Sequence, residues 1–552
     1  MAASARFQFL TARIWGGAAL GIAVLVIIPI GFVLTSLWAE TGEIWRHLAS
    51  TVLPLYLRNS FVLALGVGAG VLLIGVATAW LVTMCQFPGR RFFEWALLLP
   101  LAAPAYVLAY TYTDLLQVSG PIQTALRRWL DWGVNDYWFP NIRSLGGAIC
   151  MLILVLYPYI YLVTRLAFLE QAVRTLEVSR SLGCDPWRSF LTVALPLARP
   201  SIVAGLALVV METLNDYGTV DYFGVQTFTT GIFRTWYGMG ERVAATQLAA
   251  LLLMLVLFLL LLERWSRRQA RYFQSGYGGG GAPYLLQGWR RILAWGSCAL
   301  PIGLGFLLPG AALVLMVIDH WENSFTARFW SFAANSLILA TVTAGLAVLL
   351  SLILAYGRRL YPSLFLHSLT RMATIGYAVP GSVIAVGILI PLGTWDQVVN
   401  TWLQQWGLSR SFVVSGTVIA LIYAYLVRFL TVSFSTIEAS LSKLKQHLDE
   451  AARSLGHGST STFWHIHLPL LWKGILTAAI LVFVDVMKEL PATVVIRPFN
   501  FDTLAVRAYQ MASDERLAEA AAPALMIVLV GILPVILLSW QLRRFDVASR
   551  LD

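Results

Sequence analysis

The stretch Glu177-Val-Ser-Arg-Ser-Leu-Gly183, continued by Val193-Ala-Leu-Pro196, decides the reading of this chain because it occurs twice. Its second copy is Glu450-Ala-Ala-Arg-Ser-Leu-Gly456, continued by Ile466-His-Leu-Pro469. One offset separates the glutamates, the glycines and the prolines: 450 − 177, 456 − 183 and 469 − 196 are each 273. Each copy reads as a short helix ended by its glycine, which takes the left-handed C-cap conformation without steric cost. The proline then opens the next helix, where a missing backbone N–H costs little. Both copies interrupt apolar sequence, so the loops at 177–196 and 450–469 are expected to project from a membrane as rigid helix-turn elements.

The surrounding composition fits that expectation. The chain is 58% hydrophobic and 12% charged, where a soluble protein carries about 25% charge. Its mean hydropathy is +0.73, and its apolar residues come in runs of about 20, long enough to span a bilayer as helices. A net charge of +11 could suit nucleic acid. Here the charge sits in short loops at alternate helix ends, the positive-inside pattern, so the expected surrounding is a lipid bilayer and not nucleic acid. The first apolar run, about 15–38, is too long for a signal-peptide core, lacks a small-residue cleavage site, and reads as a retained helix. Cys85, Cys150, Cys184 and Cys298 lie within or beside helices without paired spacing and read as free thiols.

The spacing predicts twelve spans, near 15–38, 60–84, 93–116, 146–168, 198–219, 244–262, 292–318, 336–356, 368–393, 414–435, 471–489 and 519–540. Arg6 and Arg13, Arg90 and Arg91, the run Arg264 to Arg271, Arg358 and Arg359, and Arg543 and Arg544 fall on one side. That side is expected to be the cytoplasm, with both termini inside a bacterial inner membrane. The loop with Arg127, Arg128 and Arg143 departs from the pattern and is expected to form an outer surface helix. Gln274 to Gly288, with Gly278-Gly-Gly-Gly281, reads as a flexible linker. It divides the chain into transmembrane halves at 1–273 and 289–552. Asn59-Ser60 and Pro104 recur as Asn335-Ser336 and Pro380 at an offset of 276. The expected fold class is therefore all-α and integral to the membrane, as two parallel six-helix repeats about a pseudo-two-fold axis.

The duplicated loop resembles the EAA coupling loop of ABC-importer permeases: EAA, three residues, Gly, nine residues, then I-x-L-P. Val178 and Ser179 stand where the family pattern has two alanines. The resemblance implies a type I ABC-importer permease fold. It also implies that Glu177, Gly183, Pro196, Glu450, Ala451, Ala452, Gly456 and Pro469 couple the chain to two ATPase subunits at the cytoplasmic face. No Gly-x-x-x-x-Gly-Lys-Ser/Thr phosphate loop is present in the sequence. The chain is thus expected to be a transport subunit and not an enzyme. It would bind no cofactor of its own, ATP and Mg2+ being held by the partner ATPases.

Carboxylates interrupt the fifth span of each half. Glu212 and Asp216 are four residues apart, as are Asp485 and Glu489, and 485 − 212 and 489 − 216 are both 273. That spacing puts each pair on one helix face. An ionisable group at the centre of a membrane helix costs on the order of 2.5–3.5 kcal/mol on insertion scales. The four carboxylates, with the phenols of Tyr217 and Tyr222, are therefore expected to line a translocation path. Their oxygens suit transient contact with a hard cation. A second role for them, helix–helix hydrogen bonding or pairing with Lys488, stays open at this point.

Asp216 to Arg234, Lys488-Glu-Leu-Pro-Ala-Thr493 and Arg497 to Arg507 resemble bacterial ferric-iron ABC permeases with two fused halves. That resemblance implies Fe3+ as the transported substrate, delivered by a periplasmic or lipid-anchored binding protein. Arg234 and Arg507, at matching places by subtraction (507 − 234 = 273), are expected to dock the two lobes of that protein. Other cationic solutes, thiamine or a polyamine, are the nearest alternatives, and an oxyanion would call for basic residues in place of Glu212 and Asp485. A proton-coupled secondary transporter would also use six plus six helices and membrane carboxylates, but it leaves the paired loops unexplained. His465-Ile-His467 lies inside the second loop and is not expected to bind metal.

Overall fold

The computed structural model describes residues 2–40, 42–170, 183, 185–268, 284–409, 413–445 and 447–551. Its regular structure is helical except for one parallel pair of two-residue strands, in which Cys85 and Gln86 face Tyr284 and Leu285. A helix satisfies every backbone polar group within one segment, so apolar runs of this length have no other regular way through hydrocarbon. Among the described residues eleven helices are long and apolar enough to cross a membrane. A twelfth span results if Arg90–Ala102 and Ala105–Leu130, bent by 89° at their junction, are taken together.

Two expected spans are broken where proline stands. Pro104 precedes the helix Ala105–Leu116, and Pro380 precedes Gly381–Gln405. A residue followed by proline is pushed out of the helical region, so the chain turns there and does not run straight. The fifth and eleventh spans begin earlier than expected, giving continuous helices Pro186–Asn215 and Ser459–Met487. Each contains a single wide π-turn, Phe190–Ala194 and Phe463–His467, just before the Leu-Pro pair. The Leu195 N–H reaches back to Phe190 O, and that of Leu468 to Phe463 O. The extra residue in the turn lets a proline sit inside a long helix without the usual clash against the preceding turn.

The described residues form two compact units, each drawn from both sequence halves. One comprises Met1–Ile44, Ile232–Leu253 and Trp330–Val506. Within it the long helix Ala2–Thr35 packs on elements of the second repeat. Trp15 lies 5.1 Å from the Tyr356 ring in an edge contact, and a Cβ at Gly387 would stand 2.7 Å from Pro29 O. The backbones approach that closely because the residue is glycine. The other unit comprises Trp45–Gly231, Met254–Phe329 and Arg507–Asp552. In it Ile149, Ile153 and Ile160 fill the space left by Gly66, Gly70 and Gly75 on the facing helix. Tyr112 donates to Leu304 O at 2.6 Å, fixing a helix of the second repeat beside one of the first. Residues 274–283 of the expected linker lie outside the described residues, and its last part is ordered by the strand pair and by Tyr284 against Trp80.

The repeated Asn-Ser does one job in both units. Asn59 Nδ2 donates to Gln226 O at 2.9 Å, and Asn335 Nδ2 donates to Asp502 O at 3.1 Å. Ser60 Oγ accepts from Phe228 N at 3.4 Å, and Ser336 Oγ from Leu504 N at 2.8 Å. Both acceptor loops follow the fifth span of their repeat, so one dipeptide clamps that loop to the second span in each half.

Candidate functional site

The second coupling loop is built from the helix His447–Ser454, which carries Glu450, Ala451 and Ala452. Gly456 follows at φ +84°, with His457 N donating to Ala452 O and Gly456 N to Arg453 O, both at 3.0 Å. This is a Schellman C-cap, and only glycine enters it without strain. Gly183 has the same left-handed φ of +80°. Glu177 lies outside the described residues; Pro196 and Pro469 sit inside the long helices already described. Leu448 and Leu455 are exposed on the loop, while Ala452 is buried beneath it.

An ionic cluster that the sequence reading missed ties this loop to the membrane helices. Asp449 accepts from Arg359 Nε at 3.0 Å and Nη2 at 2.6 Å, and Arg359 also donates to Leu441 O and Leu444 O. His467, fully buried, holds Nε2 at 3.0 Å from Asp449 Oδ1, an ion-pair distance without hydrogen-bond geometry, and its ring meets Tyr356 edge-on. His465 turns away to Ser461, so the His-x-His does not converge on one point. The positions matching Asp449 and His467 in the first copy are Leu176 and Ala194 by subtraction of 273, neither of them ionisable.

The four carboxylates separate into two kinds. Asp216 and Glu489 each cap the short helix that follows the fifth span. Asp216 Oδ1 accepts from Thr219 N and Val220 N at 3.1 Å, and Oδ2 from Thr219 Oγ1 at 3.0 Å. Glu489 Oε1 accepts from Ala492 N at 2.9 Å; Oε2 accepts from Thr493 N at 3.1 Å and Thr493 Oγ1 at 2.6 Å. Glu489 is buried and also pairs with buried Arg428 at 2.9 Å. Gly381 makes room for this pair, because a Cβ there would lie 2.6 Å from Arg428 Nη1. The first repeat has Ala105 and Val155 at the corresponding places and no such pair. Glu212 and Asp485, by contrast, are half-buried, and Asp485 lies 3.5 Å from Lys488 Nζ. Within neither unit do three His, Cys, Asp or Glu side chains among the described residues converge as a metal-binding group.

Tyr217 is buried, its hydroxyl 3.3 Å from that of Tyr509, which in turn donates to Asp221. Partial burial raises both the Asp221 carboxyl and the Tyr509 phenol above their ordinary values. Tyr222 stacks edge-on to Tyr110 at 4.7 Å and takes Arg143 on its ring face and hydroxyl. Arg234 is exposed and Arg507 half-buried. They do not occupy matching places, because the clamped loops run at an offset of 276, not 273. On that register Arg234 corresponds to Gln510, and Arg507 to Gly231. Three additional residues in the second repeat, in the turn closed by the Arg497–Asp502 ion pair, account for the shift.

Comparison with known proteins finds relatives along nearly the whole chain. Fe(3+)-transport system permease protein FbpB 2 of Haemophilus influenzae is 28% identical over 494 residues, covering 87% of this chain and 89% of that relative. Ferric transport system permease protein FbpB of Actinobacillus pleuropneumoniae is 22% identical over 498 residues, covering 85% of this chain and 68% of the relative. Molybdenum transport system permease protein ModB of Escherichia coli is 28% identical over 203 residues, 36% of this chain and 86% of the relative. Residues 71–272 and 347–548 each match one family description, the two matches falling in the two repeats. The chain therefore belongs to the binding-protein-dependent transport system inner membrane components, as a multi-pass ABC-importer permease that is not itself catalytic.

Proposed function

We propose that this chain forms the translocation path for ferric iron, released by a binding protein outside the membrane and moved inward by two ATPase subunits at its coupling loops. One observation carries the choice of cargo. The two relatives described above that match along both repeats are named for ferric transport, whereas the molybdenum relative matches 36% of this chain, about one repeat. Carboxylates at Glu212 and Asp485 support a cationic cargo over an anion, since an anion path needs basic groups at that depth. Of the four carboxylates these two are the path residues, because Asp216 and Glu489 are engaged by their own backbone. The loops at Gly183 and Gly456 transmit ATPase closure, and exposed Leu448 and Leu455 supply the apolar contact of the second loop. The repeats meet at the linker 274–288, and the coupling loops and both termini face the cytoplasm.

The test is ATP-driven uptake of radiolabelled ferric iron into vesicles holding this chain, its ATPase subunits and its binding protein. Uptake competed by unlabelled ferric iron and not by thiamine is the expected result. Binding-protein-stimulated ATP hydrolysis without iron uptake would keep the importer and discard the cargo.

A further inference from the structure

One compact unit gathers phenols where the fold does not call for them. Tyr110 is 3% exposed, and its hydroxyl has no hydrogen-bond partner among the described residues. Its electrostatic neighbours are Tyr106, Tyr222, Tyr509 and Asp216. From there the hydroxyls of Tyr217 and Tyr509, 3.3 Å apart, lead to the Asp221 carboxylate, which is exposed. The hydroxyls of Tyr217 and Tyr509 thus lead in from the exposed Asp221 carboxylate, and buried Tyr110 has Tyr509 among its electrostatic neighbours.

The second repeat serves as an internal control. By the two offsets, Tyr106, Tyr110, Tyr217 and Asp221 correspond to Ser382, Val386, Leu490 and Val494, and Tyr509 corresponds to Phe233. The same helices pack there with aliphatic, small or phenyl side chains. Packing therefore does not demand the hydroxyls, and a buried hydroxyl left without a partner is unfavourable.

We infer that Tyr110, Tyr217, Tyr509 and Asp221 form a transfer site for a hard trivalent cation, ferric iron on the cargo reading above, on which this inference rests. Hard cations take oxygen donors, and anionic ones above all. Two donors at right angles on a metal with bonds of about 2.0 Å stand about 2.8 Å apart. The Tyr217 and Tyr509 oxygens, 3.3 Å apart, stand near that spacing, and Asp221 is in direct contact with Tyr509. Each phenol that binds loses its proton: Tyr–OH plus Fe3+ gives the Tyr–O–Fe3+ bond and H+, with no change of oxidation state. Asp221, at the exposed end, passes that proton to solvent. Tyr222 is outside the set because Arg143 occupies its hydroxyl.

The test uses the assembled transporter in lipid nanodiscs, titrated with ferric nitrilotriacetate. Ferric phenolates absorb visible light by charge transfer, so the wild type should develop a visible band on titration. Tyr217→Phe with Tyr509→Phe should lose the band and lower ferric uptake at least tenfold. Tyr110→Phe alone should shift or weaken the band; size-exclusion profiles establish that each variant is assembled. Wild-type ferric uptake without a band, and unchanged uptake in the Phe variants, would overturn this site and leave the cargo reading intact. Absence of ferric uptake by the wild type, with ATP hydrolysis still stimulated, would end both.

Discussion

Replacing Arg428 by methionine tests whether Glu489 belongs to the fold or to the path. Removing one partner of a buried ion pair costs about 3–5 kcal/mol, because the other charge is left without its counterion in a low dielectric. Glu489 keeps three donors after the change, Ala492 N, Thr493 N and Thr493 Oγ1, which places the cost near the lower end, about 3 kcal/mol. Adding Glu489→Gln removes the stranded charge. The amide oxygen still accepts from Ala492 N, while the amide NH2 faces the Thr493 N–H and leaves it unsatisfied, at about 1–1.5 kcal/mol. The double variant should therefore be more stable than Arg428→Met by about 2 kcal/mol, roughly a 30-fold difference in the folded-to-unfolded ratio. Titrating the purified proteins from mild detergent into SDS, followed by circular dichroism, gives the order directly. The wild type should resist longest, the double variant next and Arg428→Met least. If the double variant unfolds at or before Arg428→Met, the carboxylate is not held by this pair and its structural assignment fails.

The other predictions concern transport. Gly183→Val with Gly456→Val forces two β-branched residues into left-handed backbone, at about 1–3 kcal/mol each, and should abolish ATP-driven uptake while the protein still inserts; normal uptake would refute the coupling role. Glu212→Gln with Asp485→Asn should lower uptake at least tenfold with ATPase subunits still co-purifying, and undiminished uptake removes both residues from the path. Asp449→Ala strands Arg359 and loosens the second coupling helix, so solute moved per ATP hydrolysed should fall several-fold; an unchanged ratio means the cluster is structural only. Arg234 and Arg507 can still dock the binding protein from unmatched places: Arg234→Glu with Arg507→Glu should weaken binding-protein affinity about tenfold, measured by surface plasmon resonance, and equal affinity would end that expectation.

What could be read from the sequence follows from how each feature is encoded. Span number and the repeat depend on long apolar runs and on punctuation by Gly and Pro, which a linear pattern records. The Schellman cap at Gly456 was legible because one residue type satisfies it. The π-turns before Pro196 and Pro469 were not, since a single wide turn leaves the apolar pattern almost unchanged. Nor was the composition of the compact units, because a helix surrounded by apolar residues does not name its partner. The pairing of Arg234 with Arg507 failed because three residues are inserted between two landmarks, and only the Asn-Ser clamps reveal the new register. The carboxylates could be found by their cost in a membrane, but not sorted, because a cap and a path residue look alike until their donors are known.

The repeat itself sorts them further. Where both copies keep one chemistry, the fold requires it: Asn59 and Asn335 make the same clamp, and Asp216 and Glu489 make the same cap with different side chains. Where the copies solve a problem differently, each solution is locally complete. Glu489 reaches further than Asp216, and it comes with Arg428 on one side and a glycine at 381 to admit the pair. Tyr110 in the other unit has no such closure. Tyr110 is buried with its hydroxyl unpartnered, and the corresponding residue of the second repeat is the buried Val386, which has no hydroxyl. A group that the fold does not need, and that the fold leaves unsatisfied, has its energetic justification in something that arrives. In an importer the arriving species is the cargo, and phenol and carboxylate oxygens select one that is positive and hard.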